Sequence, residues 1–278
     1  MGLFDGCLIT SDIDDTLVFS GTINKKNIEK IEYFISEGGM FSLATGRSAN
    51  AISKVTSALK RFSPSIVANG SMIYDYQKSK VLYSVAVPKQ DHRILKEVIE
   101  RGIKVGAEIH SGYDAYVPLR TSESDFHQKY EGFVAKSCDF ATVDALEWNK
   151  LVFFTEDIAE FDKIRKIAEE INMSSDFVST RLVFNGVTHN YLEVVPSGVS
   201  KATAINKLCE IFNIKKGCSY AIGDYYNDVP MLNNADISAA TAGAPDDVKA
   251  VADYVTVACE DGAVADFIDY LTKIHKNS

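Results

Sequence analysis

No run of apolar residues in the 278-residue chain reaches membrane-spanning length before an acid interrupts it. The first five residues carry no basic cluster leading into an apolar segment, so neither a membrane span nor a secretory leader is expected. Positive charge is scarce as well. The 29 Lys and Arg against 38 Asp and Glu leave a formal net charge of -9, which argues against an extended footprint for nucleic acid or anionic lipid, since both need clustered cations. The five cysteines (Cys7, Cys138, Cys209, Cys218, Cys259) are odd in number and include no CxxC pair, which speaks against a disulfide framework or a zinc site and fits a reducing, cytoplasmic setting. Only six prolines and no biased tract are present. What remains, 46% hydrophobic and 24% charged residues, is the balance of a folded soluble protein. An anionic substrate would need positive charge supplied locally, and a metal ion could supply it.

The length is large for a single core, so two lobes are expected. Cys7 to Ile13 is a short apolar run ending in acids. Asn24 to Glu37 follows with Ile28, Ile31, Phe34 and Ile35 at helical spacing, closed by Gly38-Gly39. Met40 to Ala44 is a second run, and Ser48 can cap a following helix. Ser65 to Ala68 is a third run, stopped by Asn69-Gly70. Strands separated by helices predict a parallel α/β sheet. From about Tyr83 the pattern changes to adjacent strand-like runs at Lys104 to Ile109 and Gly112 to Val117. Lys150 to Thr155, Phe177 to Phe184 and Asn190 to Val195 continue it, with helical stretches at Lys89 to Arg101 and Ile158 to Ile171. After Pro196-Ser197-Gly198 the first pattern returns, with a helix at Lys201 to Phe212, buried runs at Cys218 to Ile222 and Ile237 to Ala240, and a closing helix at Ala263 to Ile274. The predicted organisation is a Rossmann-like parallel core, residues 1–84 and 196–278, interrupted by an α+β lobe, residues 85–195.

Chemistry is concentrated at strand ends. Asp12, Asp14 and Asp15 crowd directly after the first run, and Asp224, Asn227 and Asp228 follow the run Cys218 to Ile222. Either cluster alone reads as a solvated turn. Two at equivalent positions of one parallel sheet should open on one crevice, where a hard cation such as Mg2+ would offset their repulsion. Thr45-Gly46-Arg47 joins a strand end to a helix start, where a hydroxyl and exposed N–H groups can receive phosphoryl oxygens. Lys201 stands in the first turn of a helix, a position where the helix dipole disfavours a cation unless an anion is near. The plainer readings are a cap for Thr45 and a solvent-facing side chain for Lys201.

Taken in order, the DxDxT at Asp12, the Thr-Gly-Arg at Thr45, Lys201 and the GDxxND at Asp224 resemble the four motifs of the haloacid dehalogenase superfamily over essentially the whole chain. The large insertion, with Val67-Ala68-Asn69-Gly70 and Val195 to Lys201, resembles its Cof-type phosphatase branch. The resemblance implies a Rossmann-like core with an inserted cap and a Mg2+-dependent phosphatase for a small phosphorylated metabolite. In that pattern Asp12 is the nucleophile and Asp14 the acid/base. Asp12, Asp224 and Asp228 serve the metal, and Asp14 adds its backbone carbonyl. Thr45 and Lys201 grip the phosphoryl group, with Gly46, Arg47, Asn69 and Asn227 lining its site. Where many relatives carry glycine, this chain has Asp15, which needs a backbone conformation that Asp tolerates less readily.

The cap is expected to close over the crevice and contact the leaving group, with Tyr113, Asp114 and Arg181 as candidates, His110 a further one, and Trp148 and Phe153-Phe154 as packing. A monomer or weak homodimer with no nucleic-acid or membrane partner fits the composition. Two rivals use the same groups: a phosphomutase of the same fold, and a Mg2+-dependent metabolite-binding regulatory module.

Overall fold

Short apolar runs between helices build the central sheet. In the computed structural model, which describes residues 2–277, five parallel strands lie in the order Tyr254–Val255, Ile237–Ala240, Ser219–Gly223, Leu8–Ser11, Met40–Leu43. The chain moves from Leu8–Ser11 to one neighbour and much later returns on the other side. The strand order therefore reverses between Leu8–Ser11 and Ser219–Gly223, where α/β sheets place their ligand crevice. The helix Lys25–Ser36 starts at Asn24, whose side chain accepts from the Lys26 N–H, and buries Ile31 and Phe34. The helix Lys201–Phe212 starts at Ser200 in a reciprocal capping arrangement with Thr203 and buries Ala204, Ile205 and Leu208.

One expectation is met in part. The apolar pattern extends the parallel alternation through Ser65 to Ala68, and Ile66 does bridge Ala44 in parallel, with the Thr45 N–H donating to the Ile66 carbonyl at 3.0 Å. The strand ladder of Ser65–Val67, however, is antiparallel with Met72–Asp75, in a three-stranded sheet that also holds Lys80–Ser84. The cause is the turn that follows: Ala68, Asn69 and Gly70 all have positive φ and reverse the chain at once, leaving no room for a crossover helix.

The chain forms two compact units. One runs to Gly46 and includes Ser53–Tyr83 and the chain from Ser200 onward; the other contains Arg47–Ile52 and Ser84–Val199. The sequence pattern puts the joints after residues 84 and 195. The turn at 196–199 groups with the inserted unit, and the Gly198 N–H donates to Asp176 at 3.0 Å there.

The inserted unit carries a six-stranded sheet in the order Lys136–Ser137, Asp114–Leu119, Gly106–Ser111, Lys150–Thr155, Val187–Val195, Asp176–Phe184, antiparallel except for the first pair. Alternation sends Ala107, Ile109, Leu151, Phe153, Leu192 and Val194 to one face. There they pack with Ile94, Leu95 and Val98 of the helix Arg93–Glu100 and with Phe161, Ile164 and Ile167 of the helix Ala159–Glu170. Trp148 is fully buried in this core, its indole N–H donating to the Val143 carbonyl at 2.7 Å and its ring stacked on His92. Among the described residues, no helix is long and apolar enough to cross a membrane.

Candidate active site

The strands Leu8–Ser11 and Ser219–Gly223 run in register from Leu8 opposite Ser219 to Ser11 opposite Ile222, and the Asp12 N–H continues the ladder by donating to the Ile222 carbonyl at 2.9 Å. Asp12 and Asp224 therefore leave the sheet side by side. Gly223 completes the arrangement, because a Cβ there would lie 2.6 Å from the Asp228 side chain. Its absence lets Asp228 fold under the loop, where one carboxylate oxygen accepts from the Asp224 and Tyr225 N–H groups at 3.1 and 3.3 Å.

Lys201 fills the position opposite. Its side chain is buried, and Nζ donates to Asp12 Oδ1 at 2.5 Å and to Asp228 Oδ1 at 2.6 Å. A cation at a helix N-terminus is locally disfavoured, and two carboxylates offset that here. Burial opposes the charge on Lys201, but Asp12 and Asp228 outweigh it and hold its pKa above the ordinary lysine range. The acids are pushed the other way. Burial first, then Asp228, raises the Asp12 carboxyl well above the usual range against the pull of Lys201, and the same two causes raise Asp224 to about 7.

Three carboxylates sharing one ammonium leave surplus negative charge in a buried place, which a proton or a cation must neutralise. One oxygen from each of Asp12, Asp224 and Asp228 lies within 4.8 Å of the others. These are hard oxygen donors, and the set fits a magnesium-type ion. Because Asp228 already spends its oxygens on Lys201 and two backbone N–H groups, Asp12 and Asp224 are the better direct ligands, with Asp228 orienting both loops.

The other expected residues divide. Asp14 is exposed, and its carboxylate lies outside this oxygen group. Asp15 has φ +55°, the left-handed conformation expected of the position, and its N–H donates to the Val18 carbonyl at 3.0 Å. Thr45 is buried, its N–H donating to the Ile66 carbonyl and its carbonyl accepting from the Asn69 N–H. A Cβ on Gly46 would lie 2.7 Å from Asn69 Oδ1, and one on Gly70 would lie 2.1 Å from the Ser200 carbonyl oxygen. The turn Ala68–Gly70 thus touches both the Thr45-Gly46 loop and the start of the Lys201 helix. Asn227 is exposed in a tight turn over Tyr226–Asp228. Arg47 belongs to the inserted unit, where its guanidinium donates to the Glu131 carbonyl at 3.4 Å.

Of the cap candidates, Tyr113 is exposed. Asp114 pairs with Lys136 at the surface, and Arg181 donates to the Thr188 hydroxyl on an exposed strand. His110 is buried. Phe153 lies in the main cap core, whereas Phe154 points to the opposite face with Val152 and Tyr191. One contributor goes unnamed by the sequence reasoning: Thr16, fully buried, whose hydroxyl donates to Asp224 Oδ1 at 3.0 Å and fixes that carboxylate. The signal for it is the threonine closing the first motif.

Comparison with known proteins follows this geometry. A model of haloacid dehalogenase-like hydrolases matches residues 9–268. The 5-amino-6-(5-phospho-D-ribitylamino)uracil phosphatase YwtE of Bacillus subtilis (strain 168) is 24% identical over 288 residues, covering 95% of this chain and 97% of its own. Among solved structures, TM0651 from Thermotoga maritima superposes with a TM-score of 0.80 at 22% identity, over 95% of this chain and 97% of that one. The subclass IIB sugar phosphatase BT4131 superposes with a TM-score of 0.78 at 22% identity, over 95% and 98%. With its parallel core, its inserted α+β unit and a family match across nearly its full length, the chain belongs to the haloacid dehalogenase-like hydrolases.

Proposed function

We propose that the protein is a Mg2+-dependent phosphatase that cleaves a small phosphorylated metabolite through an aspartyl-phosphate intermediate. The observation that carries this reading is the buried group of Asp12, Asp224 and Asp228 around the Lys201 ammonium, directly at the strand-order reversal. Its support from relatives is that YwtE is named a phosphatase of a phosphorylated ribityl compound and BT4131 a sugar phosphatase.

In this mechanism an Asp12 carboxylate oxygen attacks phosphorus while the bond from phosphorus to the ester oxygen breaks, and Asp14, as the acid, gives its proton to the departing alkoxide. Asp14, now a carboxylate, takes a proton from water. The water oxygen attacks the acyl phosphate at phosphorus, and the bond to Asp12 breaks, releasing phosphate and restoring both acids. Lys201 and Thr45 hold the phosphoryl oxygens, Lys201 screening their charge from the incoming carboxylate. Thr16 keeps Asp224 in place and Asp228 fixes the Asp224 loop. A bound Mg2+, held by Asp12 and Asp224, would supply neutralisation of charge on the transferring phosphoryl group.

The test is the variant Asp12→Asn, which removes the nucleophile without changing its bulk. Phosphate release from p-nitrophenyl phosphate should fall by at least about 1,000-fold with the thermal transition retained, and EDTA should suppress the unmodified enzyme reversibly. Near-normal release by Asp12→Asn would end the mechanism.

A further inference from the structure

At the edge of the parallel sheet away from the acidic group, two cysteines stand side by side. The register of Leu8–Ser11 against Ser219–Gly223 sets Leu8 opposite Ser219, and one step earlier it sets Cys7 opposite Cys218. Hydrogen bonds hold that step in place. The Leu8 N–H donates to the Cys218 carbonyl at 2.8 Å, the Lys215 N–H to the Gly6 carbonyl at 3.0 Å, and the Cys218 N–H to the Lys215 carbonyl at 3.1 Å. Adjacent strands lie about 4.8 Å apart and opposed residues of a parallel pair share a face, so the two Cα atoms fall within the span of a disulfide, about 4.4–6.8 Å. The side chains already touch, the Cys7 thiol in a hydrogen bond with Cys218, and both cysteines are free. Cys209 makes its contact elsewhere, donating to the Ser219 hydroxyl at 3.6 Å.

The two thiols are unequal. Cys7 is 2% exposed, and burial, reinforced by the hydrogen bond to Cys218, pushes its thiol up to about 12, so it does not meet an oxidant as a thiolate. Cys218 is half-buried and directly follows the exposed residues Lys215, Lys216 and Gly217, which makes it the point of entry. Cys7 has an outlet for its proton. The Tyr220 hydroxyl lies 3.8 Å from Cys7 Sγ and 2.7 Å from His275 Nε2, and burial lowers the His275 pKa, so that the imidazole is neutral and able to accept. Neither sulfur belongs to the catalytic group, since Asp12 and Asp224 lie beyond the opposite ends of the same two strands.

We propose that Cys7 and Cys218 form a reversible modification site, closed to a disulfide by a peroxide and reopened by a dithiol, which staples the start of Leu8–Ser11 to the start of Ser219–Gly223. The Cys218 thiolate attacks one peroxide oxygen. The O–O bond breaks, and the hydroxide that leaves becomes water with the proton the thiol released. The Cys7 sulfur then attacks the sulfur of the Cys218 sulfenic acid. The S–O bond breaks, the S–S bond forms, and the Cys7 proton, passed through Tyr220 and His275, joins the departing hydroxide as a second water. Each sulfur gives up one electron and the peroxide takes both. The new bond closes a ring of about 210 residues that holds the whole inserted unit, and a ring of that length restrains the unfolded chain strongly.

The test uses the full chain and does not depend on the phosphatase reading. After a slight excess of hydrogen peroxide, the five thiols titrated in denaturant should fall by two. A tryptic digest without reductant should contain fragment 1–25, which carries Cys7, joined to fragment 217–249, which carries Cys218. Tm should rise by at least about 5 °C and return on adding dithiothreitol. Cys218→Ser, at a half-buried position, should lose both the link and the rise, and Cys7→Ser should do the same. Five surviving thiols, a link between other cysteines, or Cys218 oxidised to the sulfinic acid with Cys7 unlinked overturns the site. A Cys7–Cys218 link that leaves Tm unmoved overturns the staple.

Discussion

Replacing Lys201 with methionine removes one charge and keeps the stem. The structure gives the size of the effect in advance. Lys201 is 3% exposed and its ammonium makes two charge-assisted hydrogen bonds, at 2.5 and 2.6 Å, to Asp12 and Asp228. Removing one partner of a buried ionic group costs about 3–5 kcal/mol, because the remaining charges stay buried without compensation. At roughly 3 °C per kcal/mol for a chain of this size, that is a fall of about 9–15 °C in Tm when EDTA is present. Added Mg2+ should return positive charge to the same carboxylates, so the gap to the unmodified protein should narrow on titrating Mg2+, by mass action on the folded state. Turnover should fall by about 100- to 1,000-fold even at saturating metal, since the group that screens the phosphoryl charge is gone. Differential scanning fluorimetry at stepped Mg2+, paired with phosphate release, reads both. A Tm within about 2 °C of the unmodified protein in EDTA, or a gap indifferent to Mg2+, would refute the electrostatic account of the site.

Further outcomes follow from other positions. Asp15→Gly should raise the urea midpoint by an amount worth about 0.5 kcal/mol, because glycine adopts φ +55° without strain, and a lower midpoint would contradict this. Gly70→Ala should cost about 2–3 kcal/mol and depress turnover, since the new methyl meets the Ser200 carbonyl at a positive φ; unchanged urea denaturation would count against the close contact. His127→Gln should destabilise the protein in a pH-dependent way. His127 is raised to about 10, so its contribution is complete below its ordinary value of 6.5 and is lost as pH climbs toward 10. Glu131 is held down at about 2, mainly by His127 against the opposing effect of burial, so its contribution is present above 4.5 and is lost on acidification toward 2. The stability gap between variant and unmodified protein should therefore be widest between pH 4.5 and 6.5 and narrow by pH 10. A constant gap across that range would be inconsistent with a charged His127.

The parallel core was legible where local and global signals agree. Lys201–Phe212 begins at the Ser200 cap that its sequence advertises, and Ile237–Ala240 is the apolar run expected. Ser65–Val67 carries the same kind of signal and bridges Ala44 in parallel, but its ladder forms with Met72–Asp75, because three consecutive positive-φ residues, two of them not glycine, turn the chain back and no periodicity records that. The helix Ser122–Glu131 escaped notice for a related reason. Its inward face is Glu123, Ser124, His127 and Gln128, so burial there leaves no hydrophobic stripe. At the site, Asp12, Asp224 and Asp228 could be proposed as neighbours from strand ends. That Lys201 is buried between two of them, rather than solvated beside its cap, is a tertiary fact. Tyr113, Asp114 and Arg181 stand at or beside strand ends, and Tyr113 and Arg181 are exposed while Asp114 is half-buried. The polar groups that are buried in that sheet, Glu108 and His110, sit mid-strand, where alternation marks a face but not what covers it.

The strand order also sets the timing of assembly during synthesis. Leu8–Ser11 can pair with Met40–Leu43 soon after both emerge, but its other flank belongs to Ser219–Gly223, which is made only after the whole inserted unit. Until then a nascent or prematurely terminated chain presents an unpaired parallel edge of buried-type residues, a template for joining other chains. Fragments ending before residue 219 should accumulate as aggregates rather than as partial enzymes.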